Sequence, residues 1–102
     1  MKHELKILPK WFEDVHSNKK NFEIRKNDRD FKVGDTLILK EWYRGKYTDR
    51  YVLREIEYIY QGDGTYGLSE EYCVLGLKIP HTVFIQNGNN NMCIHNVGNL
   101  TL

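Results

Sequence analysis

The longest strand pattern in the chain is residues 47–60, which read YTDRYVLREIEYIY. The run is rich in β-branched and aromatic residues, as is typical of strands. Val52 and Ile56 lie on one of its alternating faces, together with polar residues. Leu53 and Ile59 lie on the other face, again together with polar residues. These mixed faces predict a bulge or bend midway, as in a strand that curves around a small barrel.

Shorter patterns on both sides of this strand complete the predicted fold. A helix is expected at residues 9–17, where Pro9 suits the first turn and the apolar residues follow helical spacing. No βα alternation appears, so the chain is expected to be mainly β (α+β), a small β-barrel with one or two flanking helices. The other predicted strands are residues 3–8, 21–25, 36–42 and 72–79.

The end of the chain differs in character from the rest. Residues 81–102 are rich in asparagine, and a turn signal at residues 87–90 separates two short apolar runs. We therefore expect residues 1–80 to form one domain and residues 81–102 to form an appended hairpin. A flexible tail is the alternative for this segment.

Composition limits the partners that the protein can attract. Lysine and arginine total 15 against 14 acidic residues, so RNA binding would have to be local. The chain has no apolar leader and no membrane-spanning stretch, so we expect a cytoplasmic protein without a membrane partner. Two cysteines without a C-x-x-C spacing predict neither a structural metal nor a cofactor. Cys73 lies in an apolar run and is expected to be a buried small hydrophobe.

Residues 17–25, SNKKNFEIR, hold the candidate site. In an extended strand, Phe22 and Ile24 would enter the core, whereas Glu23 and Arg25 would share the opposite face, roughly 6.5 Å apart. The preceding turn would deliver Lys19 and Lys20 to the same place. We expect Glu23 to stay ionised among these cations. The lysines and the arginine could then meet a phosphate or the acceptor edge of a base.

Simpler readings of these residues stay open. Surface strands often carry alternating charges, and an exposed Glu–Arg pair contributes only about 0–1 kcal/mol. Arg29 either belongs to a solvated loop or extends the positive rim begun by Arg25. Trp11 either packs on the sheet with the helix or stacks on a base from the rim.

Two family resemblances favour a functional reading. Lys20, Glu23 and Arg25 resemble the Gly-x-Lys-x-x-Glu-x-Arg motif of the ASCH domain, a branch of the PUA-like superfamily. Asn18 stands at the glycine position, and asparagine tolerates the left-handed turn conformation best among the other residues. More specifically, residues 3–35 are similar to the DUF3850 family of small bacterial and phage proteins. That similarity continues through residues 47–50 and fades after Lys78.

The resemblance implies a compact PUA-like barrel with a cleft beside the first helix. It also implies an RNA- or nucleotide-binding module in which Lys20 and Arg25 hold phosphate or base acceptors. Glu23 would accept from an exocyclic amine or orient Arg25, and Trp11, Trp42 or a tyrosine could stack on a base. Lys19 and Arg29 complete the candidate ligand-binding set.

Two other functions are carried as alternatives. Some ASCH-like proteins resemble amidohydrolases that act on modified nucleosides, and Lys20 and Glu23 would then be the candidate catalytic residues. This strand lacks the hydroxyl nucleophile of those proteins, so Glu23 could serve only as a general base for water. The third possibility is a non-catalytic domain that binds a protein.

Overall fold

The computed structural model describes residues 1–80 and the backbone of two later strands. One helix, α1 (Pro9–His16), follows the first strand, and a short 3-10 turn occupies Thr65–Gly67. The strands are β1 (Lys2–Ile7), β2 (Phe22–Lys26), β3 (Thr36–Tyr43), β4 (Lys46–Gln61), β5 (Tyr72–Lys78), β6 (Val83–Gln86) and β7 (Met92–His95).

The first five strands form one curled sheet in the order β1-β3-β4-β5-β2. β1 runs parallel to β3, and every other neighbouring pair is antiparallel. The long β4 strand lies at the centre, and β1 and β2 are the two edges. The sheet is a half-barrel with a flanking helix, so the predicted mainly β fold is confirmed.

β4 bends at a register shift between Ile56 and Tyr58. Before the shift, Val52 and Ile56 are buried, and after it Ile59 packs against the core. Tyr58 consequently points away from the core and is exposed. The bulge predicted from the mixed faces of this strand is therefore confirmed, and it lets a single strand follow the curve of the half-barrel.

Helix α1 covers the concave face of the sheet. Phe12 and Val15 are its buried residues, since they lie three positions apart on one helical face. The buried Arg54 of β4 holds the end of the helix, because its Nη2 donates to the Val15 carbonyl at 2.9 Å and to Asn18 Oδ1 at 3.2 Å. Burial lowers the pKa of Arg54. The remaining core comes from strand residues and one loop residue: Leu5, Ile7, Phe31, Leu37, Leu39, Val52, Ile56, Cys73, Leu75 and Leu77.

β2 faces the opposite way to the prediction. Phe22 and Ile24 are 39% and 55% exposed, whereas Glu23 is 4% exposed. The reason is the register with β5, because Glu23 lies opposite Leu75, whose side chain is in the core. Directly opposed residues of antiparallel strands share a face. The prediction that Phe22 and Ile24 enter the core is wrong.

β6 and β7 pair antiparallel as a separate two-stranded sheet. The turn signal at residues 87–90 lies outside the described residues. The division of the chain at residue 80 therefore stays a prediction. In the part of the chain that the structure describes, no helix is both long and apolar enough to cross a membrane.

Candidate functional site

Lys20, Glu23 and Arg25 meet on the concave side of the half-barrel and are called the Lys20 triad below. Lys20 Nζ donates to Glu23 Oε1, and it also donates to the Phe22 carbonyl at 2.7 Å. Arg25 Nε donates to Glu23 Oε2 at 2.9 Å. The Glu23 side chain is 5% exposed, while those of Lys20 and Arg25 are 16% and 23% exposed. A buried carboxylate thus holds two partly exposed cations, and the cluster keeps one net positive charge.

The turn after α1 brings Lys20 back to β2. Asn18 has φ of 65°, the left-handed conformation expected at the position where the ASCH motif has glycine. The backbone N–H groups of Lys19 and Lys20 both donate to the Asp14 carbonyl at 2.9 Å. Within residues 1–80, the exposed Lys19 side chain makes no hydrogen bond or ion pair, so the structure does not bring it into the triad.

Trp11 stands beside the triad at the start of α1. Its side chain is exposed, whereas its neighbour Phe12 is buried, so the two aromatic residues of the helix divide between the rim and the core. Lys10 Nζ lies 4.4 Å from the centre of the Trp11 ring, and Lys20 Nζ lies 5.8 Å from it. These distances are within the range of cation–π attraction. The indole therefore forms an aromatic wall next to a donor of the triad.

Arg25 and Arg29 join the two edge strands of the sheet. Arg25 Nη2 donates to the Lys6 carbonyl at 2.9 Å, and Arg29 Nη1 donates to the Glu4 carbonyl at 2.8 Å. Both carbonyls belong to β1, so these side chains supply hydrogen bonds that a missing sheet partner would otherwise make. The line along which β1 and β2 meet is called the seam below. Arg29 lies along the seam, and Arg25 belongs to both the seam and the triad.

A second buried carboxylate, Glu41, was not found by sequence reasoning. Arg50 binds it through Nε at 2.9 Å and Nη2 at 2.7 Å, and the Thr48 hydroxyl donates to it at 2.6 Å. Three residues of β4, 48–50, oppose the single Glu41 of β3, and Asp49 takes a positive φ of 74°. This bulge turns Thr48 and Arg50 onto the same carboxylate.

Glu41, Thr48 and Arg50, called the Glu41 cluster below, hold helix α1 against the sheet. Arg50 Nη2 also donates to Glu13 of α1 at 2.6 Å, and its guanidinium lies 4.5 Å from the centre of the Phe12 ring. Hydrogen bonds from Arg50 lower the pKa of Glu41, and the two carboxylates raise the pKa of Arg50. A signal for this cluster was present in the sequence, because Thr48 and Arg50 lie in the family-like stretch at residues 47–50.

His3 and Asp35 form another buried polar pair that sequence reasoning missed. His3 Nε2 lies 2.8 Å from Asp35 Oδ2, and the Lys32 backbone N–H donates to the same oxygen at 3.0 Å. The His3 hydrogen bond lowers the pKa of Asp35. The pair lies at the start of β1, while the triad lies near its end, so we assign it a structural role.

The described residues contain no group of three or more His, Cys, Asp or Glu side chains that could hold a metal ion. Cys73 is fully buried, as predicted, and burial raises the pKa of its thiol. A thiol with a raised pKa is a poor nucleophile at neutral pH. The Lys20 triad and Trp11 together offer charged donors, the buried Glu23 carboxylate and an exposed indole.

A comparison with protein families matches most of the described chain to one family. Residues 2–77 match the family described as "Domain of unknown function (DUF3850)". The chain belongs to this family. The DUF3850 match contains the triad, Trp11, Arg29 and the Glu41 cluster.

A phage protein is similar to part of this DUF3850 chain. It is described as "Uncharacterized 12.9 kDa protein in GpA 3'region" of Escherichia phage P2, and it is 50% identical over 50 residues. The matched stretch covers 49% of this chain and 46% of the phage protein, about half of each. Neither description names a ligand, so a function has to be argued from the site.

Proposed function

We propose that the protein binds RNA or a nucleotide at the surface formed by the Lys20 triad and Trp11. One observation carries the proposal: the exposed Trp11 ring stands beside Lys20, whose ammonium group is held in place by the buried Glu23. This arrangement combines a flat apolar surface with fixed cationic donors. Nucleobases and nucleotides are ligands that offer both a π-face and acceptor atoms.

The indole would supply most of the binding free energy. Stacking of one base on an aromatic side chain is worth about 1–3 kcal/mol by alanine substitution. Lys10 and Lys20 near the ring would add donors for the base edge or for a phosphate oxygen. Lys20 also lies near Phe22, since its Nζ is 5.0 Å from the centre of that ring.

Glu23 acts as a positioning residue in this proposal. Both of its carboxylate oxygens accept hydrogen bonds, one from Lys20 and the other from Arg25. A general base needs an oxygen that can reach a proton of the attacking water. The contacts of Glu23 therefore support binding better than the alternative in which Lys20 and Glu23 catalyse amide hydrolysis of a modified nucleoside.

The charge balance sets the expected strength and salt dependence. With 15 basic and 14 acidic residues, long-range attraction to RNA is weak, and the cations of the site provide the local contacts. For single strands, the slope of log affinity against log salt is roughly 0.7 per phosphate contact. A site with two or three phosphate contacts should therefore show a shallow slope of roughly 1.4 to 2.1.

An NMR titration of the labelled protein tests the proposal, using short single-stranded RNAs, nucleosides and nucleoside monophosphates. We expect shifts at residues 10–11 and 19–29, and we expect Trp11→Ala to weaken binding by about 5- to 150-fold, the equivalent of 1–3 kcal/mol. Lys20→Ala should also weaken binding. The matched control, Lys46→Ala, removes an exposed lysine at the start of β4 and should leave the affinity unchanged. Unaltered spectra at the triad with every ligand would refute the proposed function.

A protein-binding domain is the second candidate, and the outer face of the sheet favours it. Phe22, Ile24, Tyr58 and Tyr72 are exposed there. Beside them lies a groove of about 490 Å³, lined by Tyr58, Tyr60, Tyr66, Leu68 and Val74. Sedimentation velocity of the wild type and of Ile24→Lys tests whether a second copy uses this face. A monomer at all concentrations would contradict self-association through it.

A further inference from the structure

We infer that the seam between β1 and β2 contains a binding site for a phosphate group. The site is the cavity of about 120 Å³ lined by Leu5, Arg25, Lys26, Asp28, Arg29 and Phe31, called the seam cavity below. The inference rests on the proposed function, since the cavity would receive the phosphate of the ligand whose base stacks on Trp11.

The size of the seam cavity suits a phosphate group. Its volume of about 120 Å³ leaves room for more than a single water molecule. Leu5 and Phe31 are both buried, so the floor of the cavity is apolar. The polar side chains stand around this floor at the surface, which leaves the cavity accessible from solvent.

The charges around the seam cavity favour an anion. Arg25, Lys26 and Arg29 provide three positive charges against one negative charge from Asp28, so the lining has a formal charge of +2. Asp28 Oδ1 lies 3.9 Å from Arg29 Nε, which is beyond hydrogen-bond distance, and both side chains are exposed. Such a surface pair is weak. Asp28 therefore neutralises Arg29 only slightly.

Both guanidinium groups are held in place before a ligand arrives. The Glu4 carbonyl holds Arg29 through Nη1, and the Lys6 carbonyl holds Arg25 through Nη2. A guanidinium has five N–H donors in a planar fork. Arg25 Nη1 and Arg29 Nε and Nη2 make no hydrogen bond to any residue of 1–80, so they have donors to spare. Planar arginine donors match the oxygens of a phosphate, and fixing them in advance reduces the entropy lost on binding.

Arg25 connects this cavity to the proposed base site. The same guanidinium contacts Glu23 of the triad and lines the seam cavity. We therefore expect the base and the phosphate of one ligand to occupy the sites on the two sides of Arg25. The inference predicts that a nucleoside monophosphate binds more tightly than the corresponding nucleoside.

Calorimetry and NMR of the full chain test this inference with four probes: inorganic phosphate, adenosine, adenosine monophosphate and a dinucleotide with one phosphodiester. We expect inorganic phosphate to shift the side-chain Nε–H signal of Arg29. We also expect adenosine monophosphate to bind at least tenfold more tightly than adenosine. A dinucleotide that matches the monophosphate in affinity would identify an RNA phosphodiester as the source of the phosphate, and a weaker dinucleotide would identify a terminal phosphate.

Variants in the loop after β2 separate the phosphate contact from other effects. Arg29→Gln should remove the tenfold advantage of the monophosphate over adenosine. Arg29→Lys keeps the charge without the planar fork, and it should retain only part of the advantage. The matched control, Lys32→Gln, removes an exposed cation of the same loop that does not line the cavity. It should behave like the wild type.

The possible failures are distinguishable. If phosphate leaves Arg29 unshifted and the monophosphate binds no better than adenosine, the phosphate site is overturned while Trp11-dependent adenosine binding still supports the proposed function. If phosphate shifts Arg29 but no adenosine binding depends on Trp11, the anion site stands and the base site fails. The phosphate titration uses the wild type, so a misfolded variant cannot decide the result.

Discussion

Replacing Glu23 by glutamine removes one negative charge from the core side of β2 and changes almost nothing in shape. Lys20 and Arg25 would then lose the carboxylate that both contact, and the triad would carry two net positive charges instead of one. Removing one partner of a buried ion pair typically costs about 3–5 kcal/mol. Because the two cations are partly exposed and glutamine keeps an acceptor, we expect a loss of about 2–3 kcal/mol in the free energy of unfolding.

Urea unfolding at pH 7, followed by far-UV circular dichroism, measures this loss. The matched control is Glu57→Gln, which changes an exposed carboxylate of β4. It should alter stability by less than about 0.5 kcal/mol. A double-mutant cycle with Lys20→Met measures the coupling free energy between the two charges. We expect it to exceed the roughly 0–1 kcal/mol found for surface pairs. Equal stabilities of the Glu23 and Glu57 variants would refute the view that Glu23 anchors the site.

Three further predictions concern the framework of the site. Ile24→Ala should lower the free energy of unfolding by less than about 0.5 kcal/mol, whereas Ile56→Ala should lower it by about 2–5 kcal/mol, because only Ile56 is buried. Equal losses in urea unfolding would contradict the observed face of β2. Arg50→Ala leaves Glu41 buried with fewer hydrogen-bond donors and should lower the free energy of unfolding by about 2 kcal/mol. An unchanged thermal midpoint would argue against this anchor of α1. Asp35 has a lowered pKa in the fold, so its contribution to stability is present above 3.8, its ordinary pKa, and is lost as the pH falls through the lower folded value. Asp35→Asn should therefore flatten the acid side of the stability profile, and a profile identical to the wild type would contradict this assignment.

The elements of the fold could be predicted from the sequence because their signals are local. Pro9 and the helical spacing after it predicted α1, and the observed helix ends one residue before the predicted end. Gly45, with φ of 83°, lies in the tight turn before β4. The bulge in β4 also followed from a local pattern, since both alternating faces of that strand carry apolar residues. Each of these features depends on residues close together in the chain.

The site could be predicted only in part. The spacing of Lys20, Glu23 and Arg25 located the cluster, and the structure brings these three together. Lys19 stays apart from the cluster, and the Arg29 side chain contacts β1 across the seam. Contacts such as Arg29 with Glu4 link residues 25 positions apart, so no local pattern shows them.

The sequence by itself determined that β2 separates Phe22 and Ile24 from Glu23 and Arg25, because side chains alternate along any strand. Only the tertiary structure decided which of these two sets faces inward. β2 is an edge strand of a curled sheet, and its register with β5 places Glu23 against the buried Leu75. Lys20 and Arg25 offset the cost of burying the carboxylate there. Alternation fixes the partition of a strand into two faces, whereas pairing and the available partner charges choose the face that is buried.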